Sequence, residues 1–574
     1  MRSAPPRAEG VRRAALVICC LGPAALVTAG AWRDPSRLSP GTGGDTFKFM
    51  AFLAWVPHAL ASLQNPFWMP VIDHPAGVNL AWETSVSLGA VAVWPFQAGF
   101  GPVVAYNVFI FLTLVLDVAC SYLWLRRHVR SAWAAMPAAL IFGFGPWIGV
   151  HLIHANLLAF WPLPLLFITV EDVLAVRGSA LRLGLQAGAL VAVQLYLAEE
   201  LVALAAIALL TALPIGAAIG PRPWPDLRRL AGSGSVGIAL ASLLGAPMLL
   251  FQLLGPRAVH GAIQPPNVYV ADLQSFVFGT LKTWLWPSSL NASQSWTGLG
   301  EATAYVGLPL LLVAAVVAWR TRRDPVLRTL AASSVALAVL SLGPHLHLGG
   351  IDTGLRLPAA LFNRLPLLDN LLPVRISILT DFGVALLAAV AIDAALTDRR
   401  TLSRAAAGLA LLGIAAVIVR VPAPATHAVI PAYFDRGGAA GRLPAGTVAL
   451  VGPYIDDGEA DAVPMLWLAE SDFKFSLIDG FAITVNPDGH VTWLPDNPVK
   501  AVFHELQATG ATPAETPAER ASLLGELHAR GVNLIVLGPM PHRSEAVAFV
   551  SWLVGAPPQQ VEGVQLWPGL PASP

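Results

Sequence analysis

Long apolar segments, separated by short arginine-rich stretches, run through the first three quarters of this 574-residue chain. Hydrophobic residues make up 55% of the chain and charged residues only 12%, about half of the roughly 25% that soluble domains carry. Because a backbone in lipid must satisfy its hydrogen bonds internally, apolar segments of this kind fold as membrane helices. The sequence therefore predicts an α-helical polytopic membrane protein.

Basic residues are concentrated at the cytoplasmic ends of membrane helices. Here the clusters are Arg2 to Arg13, Arg126 to Arg130, Arg177 with Arg182, Arg222 to Arg229, Arg320 to Arg328, and Arg399 to Arg404. Most successive clusters are separated by two apolar segments, so all of them can face the cytoplasm. The N-terminus is then cytoplasmic, and the first apolar run is an uncleaved helix, since no convincing signal-peptide cleavage site follows it.

Residues 85–125 do not fit a simple alternation, because they contain two apolar runs where one crossing is needed. The run 85–100 is shorter than the roughly 20 residues that a span requires, and it contains Pro95. We interpret it as a re-entrant or interfacial helix and 103–125 as the span. This predicts about 11 transmembrane helices, or one more if 85–100 also crosses.

The composition changes after Val421, where charged residues return. Strand-like runs at 447–451 and 532–537 end in Gly-Pro turns, and a helical pattern at 517–530 precedes the second run. We expect residues 1–420 to form the transmembrane domain, with a first outer loop at 32–84. Residues 421–574 are expected to form an extracytoplasmic α/β domain.

Charge and cysteine content exclude several classes of function. The formal net charge is zero, so no basic surface indicates a nucleic-acid partner. The three cysteines, Cys19, Cys20 and Cys120, all lie in apolar segments. They therefore support neither a disulfide framework nor a thiolate metal site.

Asp45 is the most suggestive polar residue, because it follows the first apolar segment in a glycine-rich turn. A carboxylate held where a membrane helix meets water is often functional, since placing it there is costly. The same position suits a helix N-cap, and the two interpretations are compatible. The rest of the first outer loop contributes Asp73, His74 and Glu83.

Further polar residues fall in loops that the predicted topology places outside. Glu199 and Glu200 lie at the tip of a helical hairpin, and their side chains would point about 100° apart on a helix, so one of them can face a shared cavity. His151 and His154 would share one helix face and could bind zinc with Asp45 or Glu199 as a third ligand. Hydrogen bonding of the two histidines to a phosphate or a sugar hydroxyl is an equal alternative. Solvated carboxylates and structural histidines are the simpler alternatives.

Arg375 opens an apolar helix on the predicted outer side, where the positive-inside rule disfavours arginine. It therefore needs an anionic partner. A lipid phosphate suits the guanidinium, which binds phosphate oxygens in pairs, and a salt bridge to Asp369 or Asp381 is the structural alternative. Glu301 precedes another apolar run on the same predicted side.

The layout of a short cytoplasmic N-terminus, one helix and an outer loop with an early aspartate resembles the GT-C superfamily of membrane glycosyltransferases. The motifs similar to those of its bacterial polytopic members are Gly44-Asp45, Trp55 with His58, Asn65-Pro66, His74 to Leu80, Gly101 to Asn107, Phe144 to Trp147, and Leu372 to Arg375. The resemblance covers roughly residues 14–420 and leaves the C-terminal region unassigned.

The resemblance implies transfer of a sugar from a polyprenyl-phosphate donor, with inversion, to a glycan, lipid or protein acceptor outside the cytoplasmic membrane. Asp45 matches the acidic residue of the superfamily's first outer loop, which acts as a base or binds a divalent metal. No second acid lies close to Asp45 in sequence, which favours the base. Arg375, with His151 or His154, would stabilise the leaving phosphate. Substrate-binding roles are expected for His74, Glu83, Glu199, Glu200 and Glu301.

Two other classes of function fit the residues. A transporter or lipid flippase could use Asp117, in the middle of a predicted span, for proton coupling. The chain shows no two-fold repeat of broken helices, however, and its first loop is long. A non-catalytic assembly factor for cell-envelope polymers would keep the fold without the chemistry.

Overall fold

The computed structural model describes most of the chain. The described residues are 6–43, 45–83, 85–220, 227–286, 292–365, 368–398, 400–455, 462–486, 489–494 and 497–571. Gly44 of the glycine-rich turn lies outside them, as do Arg2, Arg222 and Arg399 of three predicted basic clusters.

Helices account for most of the described residues. In chain order they are α1 (Pro6–Val27), α2 (Asp45–Ala61), α3 (Ser87–Phe100), α4 (Pro102–Leu125), α5 (Ala132–Ala139), α6 (Ile141–Phe144), α7 (Pro146–His151), α8 (Ala155–Leu158), α9 (Pro162–Leu174), α10 (Ala180–Leu195), α11 (Glu199–Ile219), α12 (Leu227–Leu254), α13 (Leu308–Arg320), α14 (Pro325–Ser341), α15 (Ser377–Thr397), α16 (Thr401–Ala416), α17 (Val463–Glu470), α18 (Pro498–Thr509), α19 (Pro517–Ala529) and α20 (Arg543–Val554). Prolines at the start of many of them suit a position that needs no N–H donor.

The strands are short. They are β1 (Leu38–Pro40), β2 (Trp68–Met69), β3 (Val78–Asn79), β4 (His345–Leu348), β5 (Ile351–Arg356), β6 (Ala425–His427), β7 (Val448–Gly452), β8 (Ser476–Leu477), β9 (Thr484–Val485), β10 (Val491–Thr492), β11 (Leu534–Leu537), β12 (Gln559–Val561) and β13 (Val564–Pro568). Five of them form one sheet in the order β12-β13-β11-β7-β8, and the others pair in twos.

Apolar helices of membrane-spanning length confirm the membrane assignment. Among the described residues, seven helical segments are long and apolar enough to cross a bilayer, and two of them, Ala132–His151 and Ala155–Leu174, contain breaks. Four shorter apolar helices, α10, α13, α14 and α16, lie where further spans are predicted. The total of about 11 spans stays a prediction. The run 85–100 is helical as α3, but it is not one of the seven.

The chain divides into two compact units that alternate along the sequence. The first unit contains Met1–Ala29, Ile110–Ala246 and Gln264–Ala423, and most of its described residues are helical. The second contains Gly30–Phe109, Pro247–Ile263 and Pro424–Pro574. The sequence predicts two consecutive domains, not two alternating units. The predicted boundary at residue 421 lies close to Pro424, where the chain last enters the second unit, and it stays a prediction.

The five-stranded sheet organises the second unit. Strand β7 pairs in parallel with the central strand β11 and with the edge strand β8, whereas β13 runs antiparallel to both β11 and β12. Both predicted strands and the helix between them are present, as β7, β11 and α19. Leu450, Phe503, Leu527 and Phe549 belong to the buried core between the sheet and its helices.

The first loop adds backbone hydrogen bonds to the edge of this sheet. The N–H of Leu477 in β8 donates to Val71 O at 2.8 Å, and the N–H of His74 donates to Leu477 O at 3.0 Å. The N–H of Asp73 donates to Asp479 O at 2.9 Å. Since edge strands carry unpaired backbone groups, this segment satisfies part of the exposed edge and anchors the loop.

Candidate functional site

Arg375 is the centre of a buried ionic group in the first unit, which we call the arginine cluster: Arg375, Glu200, Glu301, His151 and His154. The Nε of Arg375 donates to one oxygen of Glu301 at 2.9 Å, and its Nη2 donates to the other at 2.6 Å. Its Nη1 donates to Glu200. Arg375 therefore has the anionic partners that its position requires, and they are these two glutamates instead of Asp369 or Asp381.

Local backbone structure fixes the arginine. Arg375 lies in one turn of 3-10 helix, Pro373–Ile376, directly before α15. The Oγ1 of Thr303 donates to Val374 O at 3.3 Å and lies 2.9 Å from the Ser377 hydroxyl. These bonds join the turn that holds Arg375 to the segment that follows Glu301.

The two glutamates come from different elements. Glu301 ends a short 3-10 helix, Leu299–Glu301, and is only 5% exposed. Glu200 is in the first turn of α11, which begins at Glu199. Adjacent helical residues point about 100° apart, and Glu200 is the member of the pair that reaches Arg375.

His151 and His154 meet across a turn. His151 is the last residue of α7 and His154 directly precedes α8, so the spacing of three does not place them on one helix face. Their Nδ1 atoms are 3.1 Å apart. His151 is fully buried, and its Nε2 lies 3.7 Å from Glu301 Oε2 without a hydrogen-bond partner among the described residues.

The electrostatic balance of the cluster favours a further cation. Two carboxylates surround one guanidinium, so the cluster carries one net negative charge when both histidines are neutral. Burial alone would raise the pKa of Glu301, but Arg375 and His151 outweigh it and hold that pKa below its usual range. Glu301 is therefore a carboxylate at any physiological pH.

Three members of the cluster could hold a metal ion. One ligand atom from each of His151, His154 and Glu301 lies within 4.8 Å of the others. Imidazole nitrogens with a carboxylate oxygen suit Zn²⁺ or a similar divalent transition metal. The buried Nε2 of His151, which lacks a hydrogen bond among the described residues, fits this donor set.

Asp45 belongs to a second group, in the second unit, which we call the lysine cluster: Asp45, Lys48 and Glu83, covered by Phe481 and Trp493. The Nζ of Lys48 lies 2.8 Å from Asp45 Oδ1 and 3.5 Å from Glu83 Oε2. It also lies 4.4 Å from the ring centre of Phe481 and 4.8 Å from that of Trp493. The ammonium is thus enclosed by two carboxylates and two aromatic faces.

The three charged side chains of this cluster differ in how far they are exposed to solvent. The side chains of Lys48 and Glu83 are 4% and 2% exposed, whereas that of Asp45 is 18% exposed. Burial alone would lower the pKa of Lys48, but Asp45 and Glu83 outweigh it and raise that pKa above its usual value. Lys48 is therefore a permanent cation, and Asp45 is the most exposed of the three charged members.

Lys48 was not among the residues predicted for the site. A signal for it exists in the sequence, because Asp45 and Lys48 are three residues apart at the start of a helix, where such side chains pair. A lysine between Phe47 and Phe49 is also unusual, since buried lysines need charged partners. The partners Phe481 and Trp493 are more than 400 residues away in sequence, and no local pattern predicts them.

The other predicted residues of the first loop have mainly structural contacts. The Glu83 carboxylate accepts the backbone N–H of Ile483 as well as pairing with Lys48. His74 contributes its backbone N–H to the sheet edge. Asp73 pairs with Arg257 at 3.0 Å. These contacts hold the loop against Arg257, Leu477 and Ile483.

A family model described as "Domain of unknown function (DUF6311)" matches residues 16–367, more than half of the chain. No curated protein matches the sequence. The match covers every member of both clusters except Arg375, Phe481 and Trp493.

Solved structures of membrane glycosyltransferases share the fold. Archaeal oligosaccharyltransferase AglB from Archaeoglobus fulgidus, in complex with an inhibitory peptide and a dolichol-phosphate, aligns with a TM-score of 0.52 and 11% identity, over 96% of this chain and 72% of AglB. Arabinofuranosyltransferase AftD from Mycobacteria aligns with a TM-score of 0.56 and 15% identity, over 100% of this chain and 40% of AftD. An Archaeoglobus fulgidus oligosaccharyltransferase complex with Zn and sulfate aligns with a TM-score of 0.50 and 13% identity, over 94% of this chain and 70% of that protein. The chain thus has the GT-C fold and spans less than half the length of AftD.

Proposed function

We propose that this chain, which belongs to the DUF6311 family, is a glycosyltransferase of the bacterial cytoplasmic membrane that transfers a sugar from a polyprenyl-phosphate donor to an acceptor outside the cytoplasm, with inversion at the anomeric carbon. The observation that carries the proposal is the arginine cluster, a buried and preorganised guanidinium beside two histidines in a protein of GT-C fold. Its N-terminus is cytoplasmic and residues 421–574 are extracytoplasmic.

Arg375 is assigned to the phosphate of the donor. As the sugar leaves, negative charge grows on the lipid phosphate, and a fixed guanidinium stabilises that charge without having to reorganise. Of the five N–H donors of an arginine, the described contacts use three, one each from Nε, Nη1 and Nη2. The remaining two are available to a phosphate oxygen. The dolichol-phosphate in the AglB structure is a ligand of this chemical class.

His151, His154 and Glu301 are assigned to a divalent metal, which they fit by donor type and spacing. Bound there, such an ion would neutralise charge on the donor phosphate. Glu301 also holds Arg375 in place through two hydrogen bonds. Glu200 pairs with the third donor and completes the support of the guanidinium.

Asp45 is assigned to the acceptor. Its carboxylate takes the proton of the acceptor hydroxyl as the oxygen forms a bond to the anomeric carbon, and the carbon–oxygen bond to the lipid phosphate breaks on the opposite face. The leaving phosphate keeps that electron pair. Lys48 fixes Asp45 at 2.8 Å, so the base is held in one position by a neighbour that is itself packed on two rings.

The test is sugar transfer by the full chain in liposomes, with synthetic polyprenyl-phosphoryl pentoses and hexoses labelled in the sugar. We expect Asp45→Asn and Arg375→Ala each to reduce transfer at least about 100-fold, the usual loss for a general base or an electrostatic donor. Asp34→Asn and Arg356→Ala, exposed residues of the same types, serve as matched controls and should transfer normally.

Full turnover by Asp45→Asn would remove Asp45 as the base, and normal turnover by Arg375→Ala would remove the phosphate role of the arginine cluster. Harmless substitution at both sites would support a non-catalytic assembly factor. Substrate uptake driven by a proton gradient, without any transfer product, would support a transporter instead.

A further inference from the structure

A surface cleft in the second unit lies outside both clusters. It has a volume of about 450 Å³ and is lined by the start of α18, including Asn497, Lys500 and His504. Small-molecule sites usually occupy about 300–1,000 Å³, so the cleft is large enough for one sugar unit. We call it the α18 cleft.

A much smaller space adjoins this cleft, because Asn497 and Lys500 line both. Its volume is about 10 Å³, and its other walls include Asp73, Tyr454 and Asp479. A space of this size holds roughly one water molecule, or one hydroxyl group of a larger ligand whose body stays in the α18 cleft.

Asp479 has an unused acceptor at this inner space. The residue is only 5% exposed, and its Oδ2 accepts the Ile455 N–H at 3.1 Å. Its Oδ1 is buried and has no hydrogen-bond partner among the residues that the structure describes. A buried carboxylate oxygen without a partner carries a substantial cost, so a donor group from outside the described chain would stabilise it.

Neighbouring side chains hold Asp479 and the cleft walls in place. The Nδ2 of Asn497 donates to the Tyr454 hydroxyl at 3.3 Å, and the Oδ1 of Asn497 caps α18 by accepting the Lys500 N–H at 2.8 Å. The Nζ of Lys500 donates to Leu494 O at 3.0 Å. The walls are therefore preorganised by their own contacts.

The charges at the inner space favour a neutral ligand. Asp73 is paired with Arg257 at 3.0 Å, and Lys500 and Asp479 both line the space. The formal charges of these four side chains add up to zero, so neither an anion nor a cation is preferred. A carbohydrate hydroxyl suits such a site, since it donates one hydrogen bond to the free oxygen and accepts another from a lysine or an amide.

We propose that the α18 cleft binds a neutral glycan, with one hydroxyl of a terminal sugar reaching the Oδ1 of Asp479. The glycan is the acceptor class of the proposed transferase, and in that sense the inference rests on the proposed function. Binding is measured without turnover, however, so the two proposals can fail separately.

The experiment measures binding of short arabinofuranose and mannose oligosaccharides to the full chain in detergent, by saturation-transfer NMR and calorimetric titration. Wild type should bind at least one of these neutral probes. Asp479→Asn, which keeps the shape but changes the acceptor, should weaken that binding at least tenfold. Glu505→Gln, at an exposed position of α18, is the matched control and should bind as wild type does.

A second variant guards against misfolding. Lys500→Met leaves the helix cap intact, because the cap uses the backbone N–H of Lys500, and should also weaken binding. No binding of any neutral probe by wild type, or equal binding by wild type and Asp479→Asn, would overturn the proposal and leave an ordinary buried water as the partner of Oδ1. Loss of transfer with intact glycan binding would contradict only the transferase mechanism.

Discussion

The lysine cluster stabilises the fold only while all its charged members are present, because the buried charges compensate one another. Lys48 is 3% exposed, and removing one partner of a buried ion pair usually costs about 3–5 kcal/mol because the other charge is left uncompensated. We therefore expect Lys48→Met to lower the unfolding temperature of the full chain by several degrees, measured by thermal unfolding in detergent.

The double variant Lys48→Met/Glu83→Gln also removes the more buried of the two carboxylates that Lys48 balances, so it should recover most of the lost stability. Lys474→Met, at an exposed lysine of the same unit, is the control and should unfold like wild type. If the single and double variants were equally unstable, lost packing against Phe481 and Trp493 would be the cause, instead of lost charge balance.

The arginine cluster allows a second prediction, on metal binding. The full chain should bind Zn²⁺ or Mn²⁺, and His154→Ala should bind the same ion at least tenfold more weakly, equivalent to about 1.4 kcal/mol. His154 is chosen because it is more exposed than His151, so its loss disturbs packing less. Calorimetric titration of the metal measures the change without any substrate.

His345→Ala is the matched control, since His345 pairs with Asp352 in a different part of the same unit. It should leave metal binding unchanged. Equal affinity in wild type, His154→Ala and His151→Ala would contradict the assigned ligands and would leave Glu301 solely as a partner of Arg375.

The sequence predicted which residues belong to the candidate site better than it predicted which residues they contact. An arginine at the outer end of a membrane helix is unfavourable, so the sequence predicts that Arg375 has an anionic partner. Several acids in the sequence could be that partner. The choice of Glu200 and Glu301 depends on how α11 and a 3-10 turn are brought to Arg375, and these segments are far apart in sequence. Lys48 was missed for the same reason, because its aromatic cover comes from the C-terminal region.

Among the elements, two buried carboxyl groups at the ends of β8 and α17 carry a pH-dependent cost. Asp479 follows β8 and Glu470 ends α17, and burial raises the pKa of each to about 7, from ordinary values of 3.8 and 4.5. Each carboxyl thus binds its proton more tightly in the folded state. The stability they contribute is present below about pH 4 and is lost as the pH rises through about 7.

The corresponding prediction compares Asp479→Asn with wild type at pH 5 and pH 8. At pH 5 wild-type Asp479 is protonated, and the two proteins should unfold at similar temperatures. At pH 8 the wild-type carboxylate is charged and buried, so the asparagine variant should unfold about 3 °C higher or more. A constant difference at both pH values would show that Asp479 is not protonated in the folded state at pH 5.

Local sequence patterns predicted the regular helices and strands better than the interrupted helices and irregular segments. The strands β7 and β11 and the helix α19 appear where alternation and turn residues predict them. The first apolar segment after the Arg126 to Arg130 cluster, by contrast, is three short helices, α5 to α7, with Pro137 and Gly145 near the breaks. The strand-like pairing of residues 71–74 has no local signal, because it uses backbone bonds to β8.

At the scale of the whole molecule, composition and basic clusters were sufficient to predict a membrane protein. They do not decide how many of the shorter helices cross, because length alone separates the seven long spans from α10, α13, α14 and α16. Sequence order also suggests consecutive domains, whereas the compact units take their segments alternately from three parts of the chain each. Such interleaving depends on contacts between distant segments, which a pattern along the chain does not contain.

The topology itself is the last prediction. With α3 re-entrant or interfacial and α4 spanning, Gly101 faces outside, the Arg126 to Arg130 cluster faces the cytoplasm, and the chain after Pro424 is outside. Single cysteines are introduced as Gly99→Cys, His128→Cys and Val429→Cys, in a background where Cys19, Cys20 and Cys120 are replaced by alanine. A membrane-impermeant maleimide applied to intact cells should label the first and third but not the second.

Permeabilised cells are the control, because His128→Cys should then be labelled as well. Labelling of His128→Cys in intact cells, with protection of Gly99→Cys, would mean that α3 crosses the membrane. The Arg126 to Arg130 cluster would then lie outside, against the positive-inside rule. The alternation that places Arg375 on the same side as Asp45 would have to be rebuilt from α3 onward.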